Sequence, residues 1–121
     1  MNADDLIKRM RAQRMFWVEL EPGKKVQLIR PTDNEVATEL FVAGKISTDH
    51  AICCKFAVGW SGITEADLLG ESAGASDPVP FDSALWAELS SDRMEWIEKV
   101  GKALLEKAIE RHKTKEEAEK N

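Results

Sequence analysis

The sequence predicts a single α+β domain that is mainly helical, with an N-terminal β-hairpin packed on about four to five helices. Apolar residues at helical spacing cover most of the chain, and a Pro-Gly turn joins two strand-like runs near its start. The chain of 121 residues is long enough to bury one hydrophobic core. We expect the globular domain to span residues 1–113. The last segment, 114–121, carries no apolar stripe and is expected to form a frayed or disordered tail.

The first thirty residues predict a short helix followed by the hairpin. Apolar residues at helical spacing favour the helix over residues 3–13, and they are Leu6, Ile7 and Met10. Two runs rich in β-branched and aromatic residues, 15–20 and 25–30, flank the turn at Pro22-Gly23. An isolated hairpin is only marginally stable in water, so we expect this one to lie against helices.

Two helices are predicted after the hairpin, at about 32–43 and 48–58. The first begins with a Thr-x-x-Glu capping box formed by Thr32 and Glu35. The second covers an almost wholly apolar run. Periodicity alone does not decide whether this run is helix or strand. We interpret that run as a buried helix that ends at Gly59.

The segment from residue 64 to residue 80 is poor in bulky apolar residues and is predicted to be a long loop. Loops of this length in a small domain are usually functional or mobile. Helices are expected after it, at about 83–90 and 92–113, where apolar residues again recur at three and four. Trp17 in the first strand and Trp96 in the last helix are expected to be core residues.

Composition and charge exclude several classes of function. The net charge of −5 counts against binding to nucleic acid, which requires a stripe of Lys and Arg. No apolar run approaches the roughly 18 residues of a membrane-spanning helix, so we expect no membrane partner. The sequence also begins without an apolar leader, which favours a cytoplasmic protein.

The residues with metal-binding or nucleophilic chemistry do not form a recognisable site. His50, Cys53 and Cys54 could share a helix face, but a closed zinc site needs a fourth ligand. His50 could act as a base for Cys54, yet no nucleophile elbow and no papain-like surround accompany them. The sequence therefore predicts no metal, no cofactor, no catalytic residues and no enzymatic activity.

The middle of the chain carries the strongest functional signal. Trp60 lies in the run Gly59-Trp60-Ser61-Gly62, and Phe81 follows Pro78-Val79-Pro80. Glycine permits unusual backbone conformations beside the first ring, and proline fixes the backbone beside the second. We expect these rings to brace the loop while Trp86 presents its ring to a partner, since Trp is enriched at interface hot spots. Packing within the core is the alternative for both Trp60 and Trp86, because Trp is also favoured in cores. The predicted partner-binding residues are Trp60, Phe81, Leu85, Trp86 and Leu89.

The stretch from Lys55 to Leu89 resembles the tail assembly chaperones of long-tailed bacteriophages and prophages. The similarity lies in its Trp-Ser-Gly turn and in the Pro-Val-Pro-Phe entry into an acidic helix. The resemblance implies a non-enzymatic protein of the host cytoplasm that binds the tape measure protein and assists tail tube assembly. It also implies recruitment of the major tail protein, and a homo-oligomer is compatible with it.

The sequence departs from this family in the N-terminal hairpin and in the length of the loop at residues 70–76. An alternative is a structural virion component, either a minor tail or a head-tail joining protein, which would use the hairpin edge for strand addition to a neighbour. A small inhibitor that binds a host protein is a further alternative.

Overall fold

The computed structural model describes residues 1–120. Helix accounts for 54% of the chain and strand for 20%, which confirms the predicted, mainly helical α+β class. The helices are α1 (Ala3–Ala12), α2 (Asp33–Glu35), α3 (His50–Lys55), α4 (Glu65–Leu69), α5 (Ser83–Ser91) and α6 (Met94–Lys120), and α2 continues as a π-helical segment, Val36–Leu40. The strands are β1 (Met15–Glu21), β2 (Lys24–Ile29), β3 (Phe41–Val42), β4 (Lys45–Ile46) and β5 (Ala57–Ser61).

The predicted hairpin is confirmed, because β1 and β2 pair antiparallel around the turn at Gly23. Its alternation corrects the expectation for Trp17. Val18 and Leu20 take the inward side of β1, so Trp17 lies on the outward face opposite Gln27 and is 50% exposed. Trp17 is therefore not a core residue, although its strand was placed correctly.

A third strand replaces the end of the helix predicted at 48–58. Helix α3 ends at Lys55, and β5 then pairs antiparallel with β2, so the sheet order is β1-β2-β5. Gly59 lies within this strand and does not end a helix, which corrects the prediction. The physical reason is a long-range pairing. The backbone N–H and C=O groups of β2 need hydrogen-bond partners, which β5 supplies, and a local apolar pattern does not reveal this need.

The helix predicted at 32–43 begins as expected and ends early. Thr32 Oγ1 accepts a hydrogen bond from the Glu35 amide at 3.1 Å, and Glu35 Oε1 accepts one from the Thr32 amide at 3.0 Å. Beyond the π-helical segment, β3 and β4 form a small hairpin that turns at Ala43 and Gly44, both with positive φ. Glycine adopts this left-handed conformation freely, so the turn forms where the sequence pattern still predicted helix.

The core lies between the inward face of the sheet and α3, α5 and α6. Its fully buried side chains are Leu20, Val26, Leu28, Leu40, Cys53, Trp86, Trp96, Val100 and Leu104. Trp96 is thus a core residue, as predicted. The absence of a side chain at Gly101 lets α6 approach the loop before α3, since a Cβ there would lie 2.7 Å from Thr48 Oγ1.

Helix α6 continues through Lys120, past the predicted domain end at residue 113. The side chains of residues 109–119 are exposed, as their polar composition predicts. Side-chain contacts along the helix accompany this extension: an ion pair joins Lys107 Nζ and Glu110 Oε2 at 3.5 Å, and His112 Nε2 lies 3.0 Å from Glu116 Oε1. The predicted frayed tail is therefore helical up to Lys120, and Asn121 lies outside the described residues. Within residues 1–120, no helix combines the length and the apolar character needed to cross a membrane.

Candidate functional site

Trp60 and Phe81 fix the path of the chain just before α5. Their ring centroids are 5.3 Å apart in an edge-to-face arrangement, and both side chains are half-buried. Trp60 Nε1 donates a hydrogen bond to the Val79 carbonyl oxygen at 2.6 Å, and the Val79 amide donates one to the Ile63 carbonyl oxygen at 2.9 Å. The expectation that these two rings brace the loop is confirmed.

Helix α4 lies inside the segment that the sequence predicts to be loop. Thr64 caps it: the Thr64 amide donates to Asp67 Oδ2 at 2.8 Å, and Thr64 Oγ1 accepts from the Asp67 amide at 3.4 Å. The rest of the segment folds back on this helix. A Cβ at Gly74 would lie 2.5 Å from the Glu65 carbonyl oxygen, so the close approach requires glycine.

Lys24 ties α4 to the turn of the N-terminal hairpin. Its Nζ lies 3.0 Å from both carboxylate oxygens of Asp67 and donates to the Gly62 carbonyl oxygen at 3.3 Å. Burial alone would raise the pKa of Asp67. Hydrogen bonds from Thr64 and Lys24, together with the charge of Lys24, outweigh burial and lower that pKa below its ordinary value.

A cleft of about 860 Å³ opens between α4, the loop at Val79 and α5. We call it the α4–α5 cleft. Its apolar lining consists of Leu68, Leu69, Val79, Leu85 and Leu89. Leu69 is 64% exposed and Leu85 is 37% exposed, whereas Leu89 is 9% exposed and forms the floor. Apolar side chains left open to water in this way favour contact with another apolar surface.

Acidic side chains surround this apolar lining. Glu65, Glu88 and Asp92 are exposed at the cleft, and no Lys, Arg or His among residues 1–120 forms an ion pair with them. The one basic side chain of the lining, Arg93, lies against the α4 wall of the cleft. Its guanidinium donates to the Asp67 carbonyl oxygen at 3.3 Å and lies 4.7 Å from the centroid of the Trp96 ring. Three exposed carboxylates outnumber this one guanidinium, so the rim is negative on balance.

Trp86 does not reach this surface. Its side chain is fully buried, stacks on Trp96 with ring centroids 6.4 Å apart, and donates through Nε1 to the Cys53 carbonyl oxygen at 3.4 Å. The expectation that Trp86 presents its ring to a partner is wrong. Successive helix positions point about 100° apart, so Leu85 faces the cleft while Trp86 enters the core between α5 and α6.

The structure thus sorts the predicted partner-binding residues into three roles. Leu85 and Leu89 line the cleft, Trp60 and Phe81 hold the loop beside it, and Trp86 belongs to the core. Sequence reasoning missed the other wall of the cleft, Leu68 and Leu69, together with its acidic rim. The Thr-x-x-Asp capping box directly before that leucine pair is the signal that predicts α4.

The histidine and cysteine residues form a separate small cluster. His50 Nε2 lies 3.0 Å from Ser90 Oγ and 3.4 Å from Cys54 Sγ, while Cys53 Sγ points toward the Ile97 carbonyl oxygen at 3.7 Å. Burial raises the pKa of Cys54, and burial with the neighbouring thiol raises that of Cys53 to about 12. Both are therefore protonated thiols at neutral pH, a state that disfavours nucleophilic attack. In residues 1–120, no group of three or more His, Cys, Asp or Glu side chains could hold a metal ion.

The geometry defines a small α+β protein with an apolar, acid-rimmed cleft, an arrangement suited to a basic and apolar segment of another chain. No protein-family model, no curated protein and no solved structure matches the chain.

Proposed function

We propose that the protein is a non-enzymatic tail assembly chaperone of a long-tailed bacteriophage or prophage, acting in the host cytoplasm. In this proposal the α4–α5 cleft holds a segment of the tape measure protein while the tail tube assembles. The observation that carries the proposal is the exposed leucine pair Leu69 and Leu85 beside unpaired carboxylates. The stretch that resembles the chaperones, residues 55–89, also supplies most of the cleft lining.

The chemistry of the cleft specifies the segment that it would bind. Leu69 and Leu85 offer apolar area, whose burial stabilises a complex by roughly 25 cal/mol per Å² before the costs of association. Glu65, Glu88 and Asp92 favour Lys and Arg beside the apolar contact and repel acidic competitors. We therefore expect a helical segment with a short apolar stripe flanked by basic residues.

The proposal assigns the major tail protein to a different surface. A second groove, of about 540 Å³, lies between the β3–β4 hairpin and α6, where Phe41 is 52% exposed and Ile109 is 42% exposed. It shares no lining residue with the α4–α5 cleft. The two partners could therefore be held at the same time.

Peptide binding tests the assignment. The proposal requires a tape measure gene next to the gene for this chain. Peptides that tile the product of that gene are titrated against the wild type, Leu85→Glu and the control Val42→Glu, and fluorescence anisotropy is recorded. Val42 is 58% exposed and lies outside both grooves, so the control adds the same charge elsewhere. We expect one basic, apolar peptide to bind the wild type and the control with similar affinity. Its Kd should be at least tenfold higher for Leu85→Glu, and also at least tenfold higher for the wild type when the salt concentration is high.

Two outcomes would count against the proposal. If no peptide binds, or if Leu85→Glu and Val42→Glu bind equally well, the cleft does not hold the tape measure protein. The alternative of a structural virion subunit rests on β1, which is an edge strand of the sheet and offers backbone groups for strand addition. Stable rings of the isolated protein, seen by light scattering, would favour that alternative.

A further inference from the structure

Helix α1 is formed without any buried side chain. It spans Ala3–Ala12, and Asn2 caps its start by accepting a hydrogen bond from the Asp5 amide at 2.9 Å. A ten-residue helix is shorter than the about 12–15 residues at which isolated helices become stable in water. Its apolar residues nevertheless lie open to solvent: Leu6 is 49%, Ile7 53% and Met10 64% exposed. Such a helix is expected to gain stability from a partner.

The apolar residues of α1 share one face. At about 100° per residue, Ala3, Leu6, Ile7 and Met10 fall within one stripe along the helix. Ala12 lies on the opposite face. The end of the helix is fixed to the body of the protein, because Arg14 Nη1 donates to the Arg30 carbonyl oxygen at 3.1 Å and lies 3.7 Å from Glu35 Oε1. Ile7 and Met10 form one wall of an open groove of about 670 Å³ whose other wall is Arg30, residues 32–34 and Arg111, so the stripe is presented toward this side of the body.

Charge is segregated along the same helix. The first turn carries Asp4 and Asp5, and the last turn carries Arg9 and Arg11. Asp4 and Arg11 are seven positions apart, so they border the same side of the stripe with about 10 Å between them along the axis. Asp5 and Lys8 lie on the face opposite the stripe, and Arg9 borders its other side. One border of the apolar stripe therefore carries a negative group near its start and a positive group near its end.

We propose that α1 is a self-association surface, on which two copies of the chain pair their α1 helices antiparallel about a two-fold axis. In that pair Asp4 lies level with Arg11 of the partner subunit, and the symmetry repeats the contact. A parallel pair would bring the two acidic turns together and the two basic turns together, which is unfavourable. The occupant is a second copy because the border formed by Asp4 and Arg11 is complementary to itself, as a two-fold interface requires.

The dimer is expected to be weak and reversible. Two short helices bury less than the roughly 1,200 Å² at which specific interfaces become stable, so dissociation is expected in the micromolar range. Salt should weaken the dimer, since the Asp4–Arg11 contacts lie at the solvent-exposed edge of the stripe. No residue of α1 lines the α4–α5 cleft, so this inference is independent of the proposed function.

Sedimentation equilibrium of the full chain tests the surface. The wild type should change from a 13.5 kDa monomer toward twice that mass as its concentration rises to several hundred micromolar. Leu6→Glu should raise the dimer Kd at least tenfold, whereas the control Ala12→Glu, which adds the same charge to the opposite face, should not. Neither variant should lower the thermal midpoint of the monomer, because neither side chain is buried. A wild type that stays monomeric at every concentration, or equal Kd values for the two variants, would overturn the proposal.

Charge reversal tests the ionic contacts. Asp4→Arg places two cations level with each other across the two-fold axis, and Arg11→Glu places two anions there, so each variant alone should be mainly monomeric. A mixture of the two restores opposite charges at both contacts and should form a heterodimer. Failure of the mixture to associate more tightly than either variant would contradict the pairing.

Cysteine cross-linking tests the direction of the helices. Ile7→Cys lies near the two-fold axis and should form an intersubunit disulfide under mild oxidation. Ala3→Cys should not, because the antiparallel arrangement separates the two copies of that residue by about 13 Å along the axis. The parent chain serves as the control for the native Cys53 and Cys54. Linking of Ala3→Cys in preference to Ile7→Cys would show a parallel pair and refute the model.

Discussion

Replacing Trp86 by alanine should lower the free energy of unfolding more than the same substitution at Trp17 or Trp60. The side chain is fully buried and stacks on Trp96, and its Nε1 hydrogen bond satisfies the Cys53 carbonyl oxygen. Removing a buried Trp costs about 3–5 kcal/mol through lost burial and the cavity that remains. The stacked pair with Trp96 adds about 0.5–1.5 kcal/mol beyond the burial of apolar area. The cost of Trp86→Ala should therefore lie in the upper part of the roughly 3–5 kcal/mol range.

The measurement is urea unfolding followed by circular dichroism, with Trp17→Ala as the matched control. Trp17 is 50% exposed on the outward face of β1, so its removal should cost less than about 1.5 kcal/mol. Domains of this size are stable by only about 5–15 kcal/mol, so Trp86→Ala should move the urea midpoint strongly without changing the slope. A cost for Trp86→Ala equal to or below that of Trp17→Ala would show that the packing of α5 against α6 has been misread.

Two of three further predictions concern the supports of the cleft, and the third concerns the cluster at His50 and Cys54. Asp67→Asn should lower the free energy of unfolding at neutral pH and make it depend less on pH in acid. The lowered pKa of Asp67 in the folded protein stabilises the fold above the unfolded pKa of about 3.9, and this stabilisation is lost as pH falls through the folded-state pKa. Unfolding measured between pH 2 and 6 checks this. Gly62→Ala should destabilise the protein by more than about 2 kcal/mol in thermal unfolding, because its φ is +82° and a Cβ would also overlap the backbone of the hairpin turn. Gly70→Ala, at φ +90° and ψ 150° in open space, should cost less than Gly62→Ala, about 1–3 kcal/mol from backbone strain alone. Treatment with EDTA should leave the thermal midpoint unchanged, and a drop that zinc restores would reveal a site near His50 and Cys54.

Elements whose signals are local were predictable from the sequence. The hairpin turn at Pro22-Gly23 and the capping box at Thr32 act within four residues, and the structure contains both. The break between α5 and α6 was also placed to within two residues. Such signals succeed because turns and caps are set by the conformational preferences of a few neighbouring side chains.

Half of the candidate site was predictable on the same basis. Leu85 followed from the helix that begins after Asp82, whose side chain caps α5. Leu69 did not, because the bulk of residues 64–80 is small and polar and masked the five-residue helix α4. The cleft exists only where these two helices meet, and their approach depends on packing at Gly74 and on the hydrogen bond from Trp60 to Val79.

What the sequence by itself determined is the class of fold and the ends of its locally encoded elements. Tertiary structure decided which tryptophan is buried: Trp17 and Trp86 each lie in a correctly placed element, yet the face that each element turns inward reverses their expected roles. It also decided that residues 57–61 form a strand, because β2 required a partner about thirty residues away in the chain. Periodicity defines the faces of a helix or strand, but only packing against distant elements selects the face that loses contact with water.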